Sequence, residues 1–441
     1  MKLRSLLLST AIALLSATVA FGQYYNNDSN RVGGVSIDAN GLVQNVQKSE
    51  SAKLVQAQQA ALQPIAEDLQ KASPARKISL KAINEAVAKA KADGQTIPDA
   101  VAFLGGLTKI EFVVALPEQN DIVLIGPAEP WKIGNDGSPV GTVTGAPIML
   151  LEDLATAIHT CAQAQRGPMS CSIDPTPEGM KNLHAFASRL TPNMNPAKAA
   201  QKIEQVVGNQ SVRVMGVDPT SHFAQVMVSS DYQMKQISMG VRPAGVSNLP
   251  PFTKFVEFNS TGAQNAMPRW WLAPNYGAVL RDQSGLTWQI QGGSVKTMCE
   301  ADFYAGDGVR QHGKAKVASG YQKWADVMTD RYADLSKAEP VFGQLRNCMD
   351  SAVVGALIVK ENMMRKVGNA FTDVTELTLS EFNEPKEVPC MAAVNKARRV
   401  TIVCGGVDID PWLILNNVQV KADLKSLSAN VEFEEGSFYA N

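Results

Sequence analysis

The 441-residue chain is poor in aromatic residues, at 6%, and in charged ones, at 19% against the roughly 25% of an average soluble domain. What charge it has cancels, with 41 Lys and Arg against 42 Asp and Glu and a formal net charge of -1. No basic excess is there to neutralise a phosphate backbone, which excludes nucleic acid as a partner; no acidic excess is there to solvate a tail. Histidine is scarce: His159, His184, His222 and His312 include no HExxH and no short metal-ligand spacing with another His or Cys. No CxxC occurs, which disfavours zinc and thioredoxin-like chemistry. A GxSxG nucleophile elbow is missing too, and no period of solenoid length repeats. No catalytic residue, cofactor or metal ligand is therefore assigned.

Long apolar runs are also few. Leu6 to Ala20 forms one, preceded by Lys2 and Arg4 and followed by the small residues Ala20 and Gly22 around Phe21. Its length falls short of the ~20 residues of a membrane anchor and matches a secretory signal peptide cut before Gln23. Removing those 22 residues and their two positive charges leaves 419 residues at a formal net charge of -3. The other intense run, Ala352 to Val359, is too short to span a bilayer and reads as a buried helix, so no integral membrane segment is expected after cleavage.

Export makes the six cysteines a disulfide framework, since an even count in an oxidising compartment favours bridges. Val388 to Asn395 and Arg399 to Val407 read as strands joined at Lys396-Ala397-Arg398. A hairpin centred on Ala397 places Cys390 and Cys404, each seven positions away, face to face. Cys161 and Cys171 lie ten apart and close a small loop; Cys299 with Cys348 follows by elimination. The alternative is six buried thiols.

Alternating Val32 to Val46 around Asp38-Ala39-Asn40-Gly41 predicts a hairpin. Helices are predicted over Ser51 to Ala72, Ser79 to Ala92, Glu152 to Gln165, Thr176 to Arg189, Pro196 to Val207, Ala315 to Leu335 and Pro340 to Met364. Strands are predicted over Thr108 to Leu116, Asp121 to Gly126, Ser211 to Val217, Phe223 to Ser229, Lys254 to Phe258, Arg269 to Ala273 and Leu286 to Gln291. The irregular alternation implies an α+β fold of mixed helices and mostly antiparallel sheets in two packed domains. The expected division is a signal peptide over 1–22 and a mobile segment with hairpin over 23–46. An α+β domain follows over 47–245, then a second α+β region with long helices and the C-terminal hairpin over 246–430, and a polar tail over 431–441. The Pro- and Gly-rich stretch Gly240 to Pro251 marks the internal boundary.

Gly308 to Lys314 fits the GxxxxGK phosphate loop, but Ala315 replaces the Ser or Thr that would hold magnesium, so nucleotide binding is not expected. Asp231, Tyr232 and Lys235 are the more informative polar cluster. Asp231 is expected to cap a helix and to pair with Lys235 four residues on. The functional alternative makes the three the rim of a binding cleft, joined by Arg269, Trp270, Trp271 and Tyr276. Adjacent tryptophans on a strand face opposite sides, so one packs in the core and the other is available for stacking a carbohydrate or peptide.

Several blocks together resemble a known family. They are Val123-Leu-Ile-Gly-Pro-Ala-Glu-Pro-Trp131, Cys171-Ser-Ile-Asp-Pro-Thr-Pro-Glu-Gly179, Asp231-Tyr-Gln-Met-Lys-Gln-Ile-Ser-Met-Gly240, Arg269-Trp-Trp-Leu-Ala-Pro-Asn-Tyr276 and Arg346-Asn-Cys-Met-Asp350. They resemble landmarks of an exported planctomycete family catalogued as domain of unknown function 1598, over about Val32 to Met364. The resemblance implies a secreted or envelope protein and supplies no activity, cofactor or catalytic residue. The expected function is a non-enzymatic binding or structural component of the cell envelope, with an envelope protein or polysaccharide as partner. The competing expectation is a periplasmic hydrolase acting on polysaccharide or peptide.

Overall fold

The computed structural model describes residues 31–46, 48–163, 167–189, 195–255, 266–304, 310–311, 319–394, 400–422, 424 and 431–441. The expected signal peptide, residues 23–30, the Lys396-Ala397-Arg398 turn and most of the Gly308 to Lys314 loop lie outside the described residues.

Local chemistry sets the first elements. Strands Val35–Ile37 and Val43–Asn45 pair around a turn in which Asp38 Oδ1 accepts from the Asn40 and Leu42 amides at 2.8 and 3.0 Å. Gly41 takes the positive φ of 86° that this turn needs. Helix Leu80–Ala92 starts where Ser79 Oγ accepts from the Ala82 amide at 3.0 Å, and it stops at Asp93 and Gly94. Strands Phe112–Leu116 and Asp121–Ala128 are antiparallel neighbours, linked through Asn120 in the left-handed region.

Two seven-stranded sheets organise the chain. The first runs Arg310–Gln311, Ser294–Tyr304, Ala266–Asn275, Cys404–Ile409, Met169–Pro175, Asn209–Met215 and Glu387–Pro389. The second runs Val418–Val420, Val279–Arg281, Thr287–Gln289, Phe112–Leu116, Asp121–Ala128, Ser73–Ser79 and Tyr439–Ala440. In each, one adjacent pair is parallel and the others are antiparallel: Ala266–Asn275 with Cys404–Ile409, and Val279–Arg281 with Val418–Val420. With its helices, this is an α+β fold.

Strands from both sides of Gly240 to Pro251 enter each sheet, and one apolar core runs from Val32 to Leu415. That stretch is therefore a connection across a shared core, since neither seven-stranded sheet is complete without strands from both halves. The expected polar tail likewise supplies an edge strand: Tyr439–Ala440 pairs with Ile78 and Lys77.

The largest departure from the sequence reading is the helix His222–Met239. Phe223 to Ser229 had the β-branched look of a strand, yet it forms the first turns of this helix. All 18 of its residues are buried, so no polar face marks the helical period. It packs on strands Met169–Pro175 and Cys404–Ile409, with helix Pro340–Lys360 against it and against helix Leu151–Ala162.

The cysteines form no bridges; all six are thiols. Cys161 ends a helix within the main core, whereas Cys171 sits mid-strand opposite Val214 and Val407. Cys348 lies in helix Pro340–Lys360 near Asp153, while Cys299 faces Trp270 across a sheet ladder. The members of the pairings 161–171 and 299–348 sit on separate elements around the main core and are not bridged. Cys390 and Cys404 do share one small apolar cluster.

Candidate functional site

Asp231, Lys235 and Arg269 come together, inside the molecule. Asp231 is not a helix cap but a mid-helix residue facing the Cys404–Ile409 strand; a Cβ on Gly405 would lie 1.9 Å from its Oδ1. Glycine at 405 is what lets the helix carry a carboxylate there. Burial lifts Asp231 to about 7, against the pull of Lys235 and Arg269. Lys235 Nζ donates to Gln210 Oε1 at 2.6 Å, and burial pulls its pKa down against the opposing effect of Asp231. Arg269 Nη1 donates to Gly405 O at 3.0 Å and its Nη2 pairs with Asp174. The result is an internal charge network between helix and sheet.

The aromatic candidates lie elsewhere. Trp270 is enclosed, with ring centres of Trp324, Phe252 and Tyr321 at 4.8, 5.2 and 5.9 Å, and its Nε1 donates to Tyr321 O at 3.2 Å. Trp271 faces the other way and is half-buried, as adjacent strand positions require. Tyr276 donates its hydroxyl to Asp350, and Tyr232 is buried in the central helix. None of the seven residues lines either large recess.

The larger recess encloses about 730 Å³. Its walls come from helix Leu151–Ala162, the loop before helix His222–Met239, and the 375–380 segment. Thr156, Ser170, Thr220, Thr378 and Ser380 contribute hydroxyls to the lining. The loop is built by its own polar atoms: Asp218 Oδ1 accepts from Thr220 N and Oγ1 at 2.8 and 2.7 Å. Ser221 Oγ donates to Asp218 O at 2.6 Å and accepts from Ala224 N at 3.2 Å, capping the helix.

Glu152 and His222, both almost fully buried, are also among the lining residues. His222 Nδ1 lies 3.0 and 3.1 Å from the two oxygens of Asp153. Burial pulls His222 down, but Asp153, with Glu152 and Asp136, more than reverses this and lifts it to about 9. His222 is therefore a cation at neutral pH. Burial pushes Glu152 up to about 7, with His222 opposing and Asp153 adding to the rise. Among the described residues no group of three or more His, Cys, Asp or Glu is placed to hold a metal ion. No helix among them is long and apolar enough to cross a membrane.

Sequence reasoning missed this recess because it read the start of the central helix as a strand. The signal was present in Asp218-Pro-Thr-Ser221, a run in which Asp and Ser close a turn and cap a helix.

Residues 171–252 match the model of a family described as protein of unknown function (DUF1598). This is narrower than the Val32 to Met364 span expected from the separate blocks. It contains the Cys171 to Gly179 and Asp231 to Gly240 blocks and leaves the other three outside. Structurally, the matched segment carries Asp174, Gln210, Asp231 and Lys235 of the internal network, together with the recess loop and His222. No curated protein and no solved structure matches the chain.

Proposed function

We propose that the chain is a non-enzymatic binding component of the cell envelope, exported by its N-terminal segment, with the 730 Å³ recess as its ligand site. One observation carries the reading: a hydroxyl-rich wall stands over a floor whose His222–Asp153 charges are paired within the protein. Hydroxyls offer donors and acceptors to a polyhydroxy or amide-bearing chain, while a paired floor needs no counter-ion from the ligand. Envelope polysaccharide or peptide has the matching chemistry.

Calorimetric titration with soluble envelope polysaccharide and with envelope peptide tests this. Thr378→Trp, which fills the recess from an exposed position, is expected to weaken binding at least about tenfold, the scale of one lost well-formed contact region. Unchanged affinity would remove the recess from consideration. Export is tested by fractionation: the reading requires a chain beginning at Gln23 in the envelope, and an intact Met1 terminus in the cytosol would overturn it.

The hydrolase reading has one favourable observation, the lift of Glu152 to about 7, which keeps much of it protonated as a general acid at neutral pH. Release of reducing ends or cleaved peptide that is lost in Glu152→Gln would establish it. Binding that survives Glu152→Gln, without turnover in the parent chain, supports the non-enzymatic reading.

A further inference from the structure

The hairpin near the C-terminal end pairs Ala393 with Thr401 and Val394 with Val400. The numbers of each pair add to 794, and continuation of the same register would set Cys390 opposite Cys404. The ladder ends before reaching them. Cys390 follows the Glu387–Pro389 strand, while Cys404 opens the Cys404–Ile409 strand, and strands Met169–Pro175 and Asn209–Met215 lie between those two in the sheet. Both thiols nevertheless enter one small cluster with Met180, Ile203, Val207, Met267 and Ile402. Glu204 of helix Pro196–Val207 holds the hairpin's approach by accepting from the Ala392 amide at 2.9 Å.

We propose that Cys390 and Cys404 are a redox-modification site, forming a reversible disulfide across the base of this hairpin by exchange with a disulfide-bearing oxidant. The Cys390 thiolate attacks one sulfur of the oxidant R–S–S–R, forming a mixed disulfide and expelling RS⁻. The Cys404 thiolate then attacks the Cys390 sulfur, closes the protein S–S bond and expels the second RS⁻. The two thiol protons end on the two released thiolates, and two electrons pass from protein to oxidant. Cys390 takes the first step because it is 8% exposed, whereas Cys404 is wholly enclosed at 0%.

The surroundings set the rate of this exchange. Cys390 and Cys404 act on one another electrostatically, and both act on the buried amino group of Lys235. Burial holds the Cys390 thiol up at about 12, while Lys235 draws it back down. Exchange in the folded chain is therefore slow at neutral pH and accelerates by about tenfold per pH unit between 7 and 9, as the thiolate fraction rises.

The test uses the full chain, incubated natively with oxidised glutathione, quenched in acid, unfolded, alkylated and mapped without reduction. A peptide pair joining Cys390 to Cys404 is expected, with Cys161, Cys171, Cys299 and Cys348 alkylated; dithiothreitol restores all six thiols. Cys390→Ser abolishes the link and Cys161→Ser leaves it. Refolding the chain in a glutathione redox buffer, where burial no longer limits access, is expected to join the same pair. Separately alkylated Cys390 and Cys404 in both experiments, or a bridge to any other cysteine, overturns the proposal.

Discussion

His222 and Glu152 lie side by side in one buried cluster, and both hold their protons more tightly folded than unfolded. His222 is lifted from 6.5 to about 9 and Glu152 from 4.5 to about 7. A raised folded-state pKa adds stability that is complete below the unfolded value and lost as pH rises through the folded one. Glu152 therefore makes stability fall from pH 4.5 to about 7, and His222 makes it fall from 6.5 to about 9. Thermal midpoints followed by circular dichroism across pH 4 to 10 should show this decline. Glu152→Gln should flatten its lower part and His222→Gln its upper part. His222→Gln also strands the Asp153 carboxylate and should cost about 3–5 kcal/mol at pH 7. The Asp231 environment makes a second residue-scale prediction. Gly405→Ala drives a Cβ to within 1.9 Å of Asp231 Oδ1 and should cost about 3 kcal/mol in urea unfolding. Adding Asp231→Ala removes the clash, so the double variant should be well short of additive. The sequence placed Asp231 and Lys235 one helical turn apart and joined Arg269 to them only in the cleft-rim alternative; their burial was not anticipated. A carboxylate four residues before a lysine reads the same on a solvated face and on a fully enclosed helix.

Helices whose ends are closed by their own side chains were legible. Ser79, Thr176 and Asn195 each accept from amides of the turn that follows, which fixes three helix starts within a residue or two of the sequence reading. The central helix was not legible, because burial on every side erased the polar face that distinguishes a helical period from a strand's. Helix Pro340–Lys360 was recognised, although nothing local announced how closely it meets its neighbour. A Cβ on Gly355 would lie 2.9 Å from the Ala157 carbonyl carbon and oxygen and 3.0 Å from the Ile158 nitrogen. Those are backbone atoms of helix Leu151–Ala162 and cannot turn aside. Gly355→Val should therefore force the two helices apart and cost about 3 kcal/mol, read as a lower urea midpoint, and should disturb the recess built on the second helix.

Both large sheets are assembled from strands far apart in the chain, so stability is shared across the molecule. Fragments 31–245 and 246–441, expressed separately, should each lack a cooperative thermal transition, since each leaves both sheets incomplete. An independent transition in either fragment would contradict the shared core. The last residues are part of the same closure. Arg76 is wholly buried, with Nε donating to Asn441 Oδ1 at 2.7 Å, Nη1 to Gly105 O at 2.5 Å and Nη2 to Lys71 O at 2.7 Å. Deleting Ser437 to Asn441 removes one acceptor of this cation and an edge strand, and should cost about 2–3 kcal/mol in chemical unfolding.

By itself the sequence determined what nearest neighbours decide: caps, turns, the α+β class and the register of the C-terminal hairpin. Cap and turn side chains act within a few residues, and a hairpin axis needs only its turn. Tertiary structure alone decided which side of the central helix faces water, namely none, and which distant strands share a sheet. It also decided that Glu152 and His222, not Asp231 and its neighbours, reach the recess. Each of those outcomes depends on contacts between segments far apart in sequence, where burial reverses the meaning that the same residues have at a surface.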